Sequence, residues 1–239
     1  RRSGYRATVA AHRPGPRCRR GRGGPFAYRR PEGFAPIPPR ASVGSRTGGM
    51  DEARGGTLQI GTGGTTGSLQ TNLTNNGSLI FNRSNLFEYS GVISGSGSIL
   101  KQGKGTLSLS NVNSITGPIV IQQGTLQLAN AAALAASTVS PFAGGTLSLA
   151  AGLATTVGGL RPDTGGLVDV GTGKITVAAG LSQPELLAAL QAGRGDGSWN
   201  GLAGICSTAV GGGVAARTIG WLDNGNGSVT FGYAAPGDT

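Results

Sequence analysis

The sequence predicts an all-β protein: a right-handed parallel β-helix, or solenoid, with a short helix-containing cap at its C-terminus and a disordered basic tail at its N-terminus. A short phrase recurs as Gly56-Thr57-Leu58-Gln59-Ile60, Gly105-Thr106-Leu107-Ser108-Leu109, Gly124-Thr125-Leu126-Gln127-Leu128 and Gly145-Thr146-Leu147-Ser148-Leu149, with starts 49, 19 and 21 residues apart. Within each phrase apolar residues alternate with Thr, Ser or Gln, the period of a strand with one face buried. Gly 46 and Pro 12 make up about a quarter of the 239 residues, and one stretch alone carries a clear helix signal.

The first element is the tail, residues 1–54. It holds thirteen Arg against Glu32, Asp51 and Glu52, together with seven of the twelve Pro and no Lys. The seven cations of residues 55–239 are balanced by seven carboxylates, so the whole formal charge of +10 belongs to the tail. Without apolar periodicity the tail cannot bury enough surface to offset its ordering entropy, and it is expected to be disordered. Arg17-Cys18-Arg19-Arg20-Gly21-Arg22-Gly23-Gly24 resembles an RGG-type segment, with Phe26 and Tyr28 available for stacking on a polyanion. A linker, or a GC-rich stretch translated outside its true frame or start, explains the same composition better. Nucleic acid is therefore not an expected partner. No targeting signal and no run of ~18 apolar residues is found, so any export signal is expected upstream of this fragment.

The second element is the repeat body, residues 55–180. Variants of the phrase fill its long gap: Gly67-Ser68-Leu69, Gly77-Ser78-Leu79-Ile80-Phe81 and Gly97-Ser98-Ile99-Leu100. The turns between are rich in Gly and Asn, and strands this short must bury their Leu and Ile against copies of themselves. Coils of ~20 residues stacked at about 4.8 Å satisfy that need, giving about six coils with an apolar interior and a polar, nearly uncharged exterior.

The stretch from Gly91-Val92-Ile93-Ser94-Gly95-Ser96-Gly97-Ser98-Ile99-Leu100-Lys101-Gln102-Gly103-Lys104 through Gly105-Thr106-Leu107-Ser108-Leu109-Ser110-Asn111, closed by Gly124-Thr125-Leu126-Gln127-Leu128, resembles the autotransporter-associated β-strand repeat of bacterial surface and secreted proteins. It departs from that pattern at Asn113-Ser114-Ile115-Thr116-Gly117, where Ile115 replaces the usual aromatic residue. The resemblance covers residues 55 to about 150. It implies a secreted or surface-displayed passenger, associated with the outer membrane, whose partners are extracellular glycans or other surface proteins.

The third element is the C-terminal module, residues 181–239. Ser182 and Glu185 form a capping box, Pro184 lies in the first turn and Gly193 stops the helix. Leu186, Leu187 and Leu190 are expected to share a face covering the open end of the solenoid. The following Trp199-Asn200-Gly201, Gly204-Ile205-Cys206-Ser207, Ile219-Gly220-Trp221 and Ser228-Val229-Thr230-Phe231-Gly232-Tyr233 are similar to the segment preceding a type I dockerin or sorting signal in large bacterial repeat proteins. That resemblance implies a calcium loop after Gly237-Asp238-Thr239, with Asp238 as its first ligand; no complete metal site is present in these residues.

One His (His12) and two Cys (Cys18, Cys206) leave Ser-His-Asp, Cys-His and zinc chemistry almost nothing to draw on. A β-helix polysaccharide lyase or hydrolase is the enzyme alternative. It needs carboxylates paired across coils, and Arg161, Asp163, Asp169 and Lys174 come nearest. Other motifs have plainer readings as turns: Arg194-Gly195-Asp196, the phosphate-loop-like Gly171-Thr172-Gly173-Lys174-Ile175-Thr176, and Asp223-Asn224-Gly225-Asn226-Gly227. The sequon-like Asn72-Leu73-Thr74, Asn76-Gly77-Ser78, Asn82-Arg83-Ser84 and Asn226-Gly227-Ser228 fit strand-turn geometry. Cys206 is expected to be a small buried residue. No catalytic, cofactor-binding or metal-ligating residue is assigned and no cofactor is expected; the chain reads as a non-catalytic extracellular stalk or adhesin-like passenger.

Overall fold

The computed structural model describes residues 41–43, 52–210 and 218–234, without the side chains of 41–43, 52–54 and 163. Most of the expected tail lies outside these residues. The exceptions are Ala41–Val43, a strand parallel to Leu58–Ile60, and the opening residues of Glu52–Ile60.

From Glu52 the chain winds as a parallel solenoid of about six turns, and from Leu73 onward each turn adds one strand to a long sheet and one to a short sheet. The long sheet runs Glu52–Ile60, Leu73–Asn82, Ser98–Gln102, Ile119–Ile121, Leu134–Pro141, Ala154–Leu160 and Lys174–Val177. The short sheet runs Phe87–Tyr89, Thr106–Leu109, Gly124–Leu128, Gly145–Leu149, Leu167–Asp169 and Gly204–Cys206. Register follows the repeated phrase residue for residue: Gly124 pairs with Gly145, and Leu107, Leu126 and Leu147 form one column.

Two kinds of column hold the coils together. Inward columns are apolar: Phe87, Leu107, Leu126, Leu147, Val168 and Ile205 on the short sheet, and Leu58, Leu79, Ile99, Ile119, Val139 and Leu160 on the long sheet. All are buried, and each contributes on the order of 1.5–3 kcal/mol by leaving water. Beside them stands a glycine column. A Cβ on Gly77, Gly97 or Gly117 would lie 2.3, 2.4 and 2.1 Å from the carbonyl oxygen of Gly56, Gly77 and Gly97 respectively. The repeated Gly is thus where successive backbones touch, and any larger residue would push the coils apart.

The two sheets end differently. The helix Gln183–Arg194 inserts between Lys174–Val177 and Gly204–Cys206 and packs on the latter strand, closing the short sheet. Gly193 permits this approach, because a Cβ there would sit 1.6 Å from the Ile205 carbonyl oxygen. Leu186, Ala189 and Leu190 face the core, whereas Leu187 is 45% exposed. The expected three-leucine face is corrected on this point: at 100° per residue Leu187 is turned away from the Leu186–Leu190 stripe. The long sheet ends in an antiparallel hairpin, with Val229–Ala234 beside Lys174–Val177 and Thr218–Asp223 outermost.

Candidate functional site

Of the residues nearest to a lyase arrangement, Asp169 and Lys174 lie on different sheets. Asp169 lies on the short sheet between Ser148 and Cys206, and its carboxylate accepts hydrogen bonds from the backbone N–H groups of Gly171 (3.0 Å) and Thr208 (3.0 Å) and from the Thr208 hydroxyl (2.8 Å). Lys174 opens a strand of the long sheet between Ala154 and Gly232. Arg161 is exposed just before the 3-10 turn Pro162–Thr164, and the Asp163 side chain falls outside the described set. The register partners of Asp169 are Ser148 and Cys206, so no carboxylate stands opposite it on the neighbouring coils. Among the described residues, no three His, Cys, Asp or Glu side chains come together.

The remaining motifs are turns whose polar groups serve the backbone. The Asp196 carboxylate accepts from the Ser198 hydroxyl (2.5 Å), the Ser198 N–H (3.0 Å) and the Asn200 amide (3.1 Å), which lower its pKa from the ordinary carboxylate value and fold it back into its own loop. Gly171-Thr172-Gly173 joins two strands, with the Thr172 hydroxyl accepting from the Gly152 N–H of the preceding coil at 2.8 Å. Asp223 accepts from Gly225 N–H (2.9 Å) and Asn226 from Ser228 N–H (3.1 Å), an ordinary hairpin turn. Asn72 and Asn76 accept from Val92 N–H (2.9 Å) and Ser96 N–H (3.1 Å), each twenty residues ahead. Their sequon-like spacing thus reflects coil-to-coil capping. The Cys206 thiol is buried and free, pushed up to about 12 by burial and by the Asp169 charge, which leaves it unreactive at neutral pH.

Lys101 was not singled out from the sequence as a buried residue, and it has the most unusual environment among the described side chains. It occupies an inward column, Ile60, Phe81, Lys101, Ile121 and Pro141, and is only 2% exposed. Its ammonium donates to the backbone carbonyls of Gln102 (3.0 Å), Gly103 (2.8 Å) and Gln123 (3.0 Å), using all three donors to tie one turn to the next. Burial pushes its pKa down to about 8. The signal was present in the period-2 alternation: Ile99 points inward, so Lys101 must too. Shielded in this way, the amine serves the core and cannot reach an external substrate.

What remains available to a partner is the outer surface. Side chains one coil apart bond along it: Gln102 to Gln122 (3.0 Å), Ser94 to Thr74 (3.3 Å) and Ser90 to Gln70 (2.9 Å). These neutral ladders form a regular hydrogen-bonding face without a concentrated charge. A groove of about 770 Å3 lies beside the helix, lined by Leu187, Gln191, Arg194, Trp199 and Thr218 among others.

Residues 99–128 match the passenger-associated transport repeat family. They span the Lys101 coil and the next strand of each sheet, where the register is most regular. A stretch of 46 residues is 54% identical to the adhesin BmaC autotransporter of Brucella suis biovar 1 (strain 1330), covering 19% of this chain and 1% of that protein. The matched stretch thus spans about one hundredth of the length of that relative. No solved structure matches the chain.

Proposed function

We propose that this chain is a non-catalytic segment of the extracellular passenger of a secreted or surface-displayed bacterial protein, acting as a stalk or adhesin-like surface. The observation that carries this reading is the coincidence of the passenger-associated transport repeat with coils stacked in residue-for-residue register. A parallel solenoid extends by simple repetition and needs only nearest-neighbour contacts to grow, which suits a protein that must project from a surface. The polar and nearly neutral outer ladders fit extracellular glycans or other surface proteins as partners, engaged through hydrogen bonds. Among the described residues, no three His, Cys, Asp or Glu side chains gather in one place, which favours display over hydrolysis.

The test is surface labelling of the source bacterium with antibody raised against residues 55–239. Labelling of intact cells, lost after external protease treatment, is the expected result. Labelling only after permeabilisation would refute display. The enzyme alternative is addressed by incubating the protein with uronate and glucan polymers: no new reducing or unsaturated ends should form, and cleavage abolished by Asp169→Asn would overturn the non-catalytic reading.

A further inference from the structure

The short sheet is closed by a helix, but the long sheet ends on Thr218–Asp223, which has a strand on one side only among the described residues. Trp221 stands directly opposite Phe231, which in turn faces Ile175. In the column Ile175, Phe231, Trp221 the first two members are buried in the core and the last is 37% exposed. On the opposite face of the same strand Leu222 is 62% exposed. Edge strands in soluble proteins are usually blunted by Lys, Pro or a bulge. This one carries none of these, and its single charge, Asp223, is turned into its own hairpin by the bond to Gly225 N–H.

We propose that this edge is a self-association surface, on which a second copy of the chain adds its own Thr218–Asp223 strand in antiparallel pairing about a two-fold axis. The axis must be perpendicular to the sheet, so that inward residues meet inward residues. The register that meets this condition and places Trp221 opposite itself also sets Leu222 opposite Gly220 of the other copy. Gly220 is the residue able to receive it: a Cβ there would have only the Ala234 methyl within 4 Å, at 3.4 Å. Both exposed apolar side chains are thereby covered at once, and the core column continues from one solenoid into the next. Asp223 then faces Ile219, an indifferent pair, and the two Asp223 charges lie at opposite ends of the five-residue ladder Ile219–Asp223. An interface built on one strand from each copy falls below about 1,200 Å2, the range of weak and transient association.

Sedimentation velocity of the 239-residue protein from about 1 to 200 μM is the experiment. A concentration-dependent monomer–dimer equilibrium in the tens of micromolar is expected, weakened at least tenfold by Trp221→Lys and by Leu222→Lys. Leu86→Lys, on an exposed residue elsewhere, should leave it unchanged. Leu222→Lys is the safer variant because it alters the outward face, and circular dichroism identifies any variant that has failed to fold. A protein that stays monomeric throughout would overturn the proposal, as would a dimer indifferent to both edge variants or equally sensitive to Leu86→Lys.

Discussion

The repeat coils and the C-terminal module use the same kinds of residue in opposite ways. Between Ser98 and Leu149 each coil lands on its predecessor after 19 to 21 residues, and every inward position meets an equivalent one. After Val168 the next member of that column is Ile205, with a helix between, and the long sheet reverses direction to antiparallel. A stack is propagated by constant coil length and terminated by breaking it. The difference predicts that damage inside the coils should be shared along the ladder, and damage in the module should stay local.

The largest effect should come from Leu126→Ala, in the middle of the short-sheet column with no exposure to solvent. The lost contacts and the cavity cost about 3–5 kcal/mol, and chemical denaturation should show one transition moved as a whole. Leu190→Ala removes a comparable side chain from the helix and should cost less, with hydrogen exchange accelerated only over residues 183–206. Equal and global effects of the two would erase the distinction. Gly193→Ala should follow closely, because its Cβ would collide with the Ile205 backbone. About 3 kcal/mol of overpacking strain should detach the helix while the amides of residues 98–149 keep their protection.

A smaller effect separates the Lys101 coil from the rest. Lys101→Met leaves the Gln102, Gly103 and Gln123 carbonyls without their donor and should cost about 2 kcal/mol at pH 7. The pH dependence distinguishes this from simple loss of packing. The folded chain releases the Lys101 proton near pH 8, whereas the unfolded chain holds it to about 10.5. Between those values the unfolded state binds more protons, so Lys101 contributes a gain in stability as pH rises from 8 toward 10.5. Lys101→Met should lack this contribution, measured as the difference between the two denaturation midpoints across that range; parallel curves would show that Lys101 does not titrate there.

The coils were legible because their code is local. The alternation in Gly-Thr-Leu-x-Leu sets which side chains are inward, and the spacing near twenty sets which meet. The ends were legible only in part. The capping box marks the start of the helix, but Gly193 is not its stop: the helix runs on to Arg194 and ends at Gly195, where φ is 57°, and Gly193 is instead the point of close approach to Ile205. Leu187 lies off the packed face, because adjacent leucines look alike until the packing partner is known. Asn224 to Gly227 marked a hairpin turn, but the sequence does not say that its strands join the long sheet, since that pairing spans from Lys174 to Gly232. The charge of Lys101 points to solvent while the alternation points inside, and three carbonyls supplied by Gly- and Gln-rich turns reconcile the two. Asp169 and Lys174, close in sequence, are separated because consecutive strands of one coil belong to different sheets.

The smallest effect lies at the helix start, where Glu185 accepts from both the N–H (2.8 Å) and the hydroxyl (2.7 Å) of Ser182. The hydroxyl bond, then the backbone bond, hold the Glu185 carboxyl below its ordinary value. A carboxyl depressed in the folded state stabilises above its unfolded pKa and ceases to do so as pH falls through the folded one. Ser182→Ala removes the hydroxyl and leaves the backbone N–H, so at pH 7 amide exchange in the first helical turn should quicken by about fivefold. The variant and the parent should converge only as pH falls below the ordinary glutamic acid value and through the depressed folded one. The coils should be unmoved at either pH, because no repeat strand depends on that turn for its register. Protection lost from residues 98–149 in Ser182→Ala would mean that the helix is the clamp on which the ladder is wound, and the division between propagating coils and local cap would have to be abandoned.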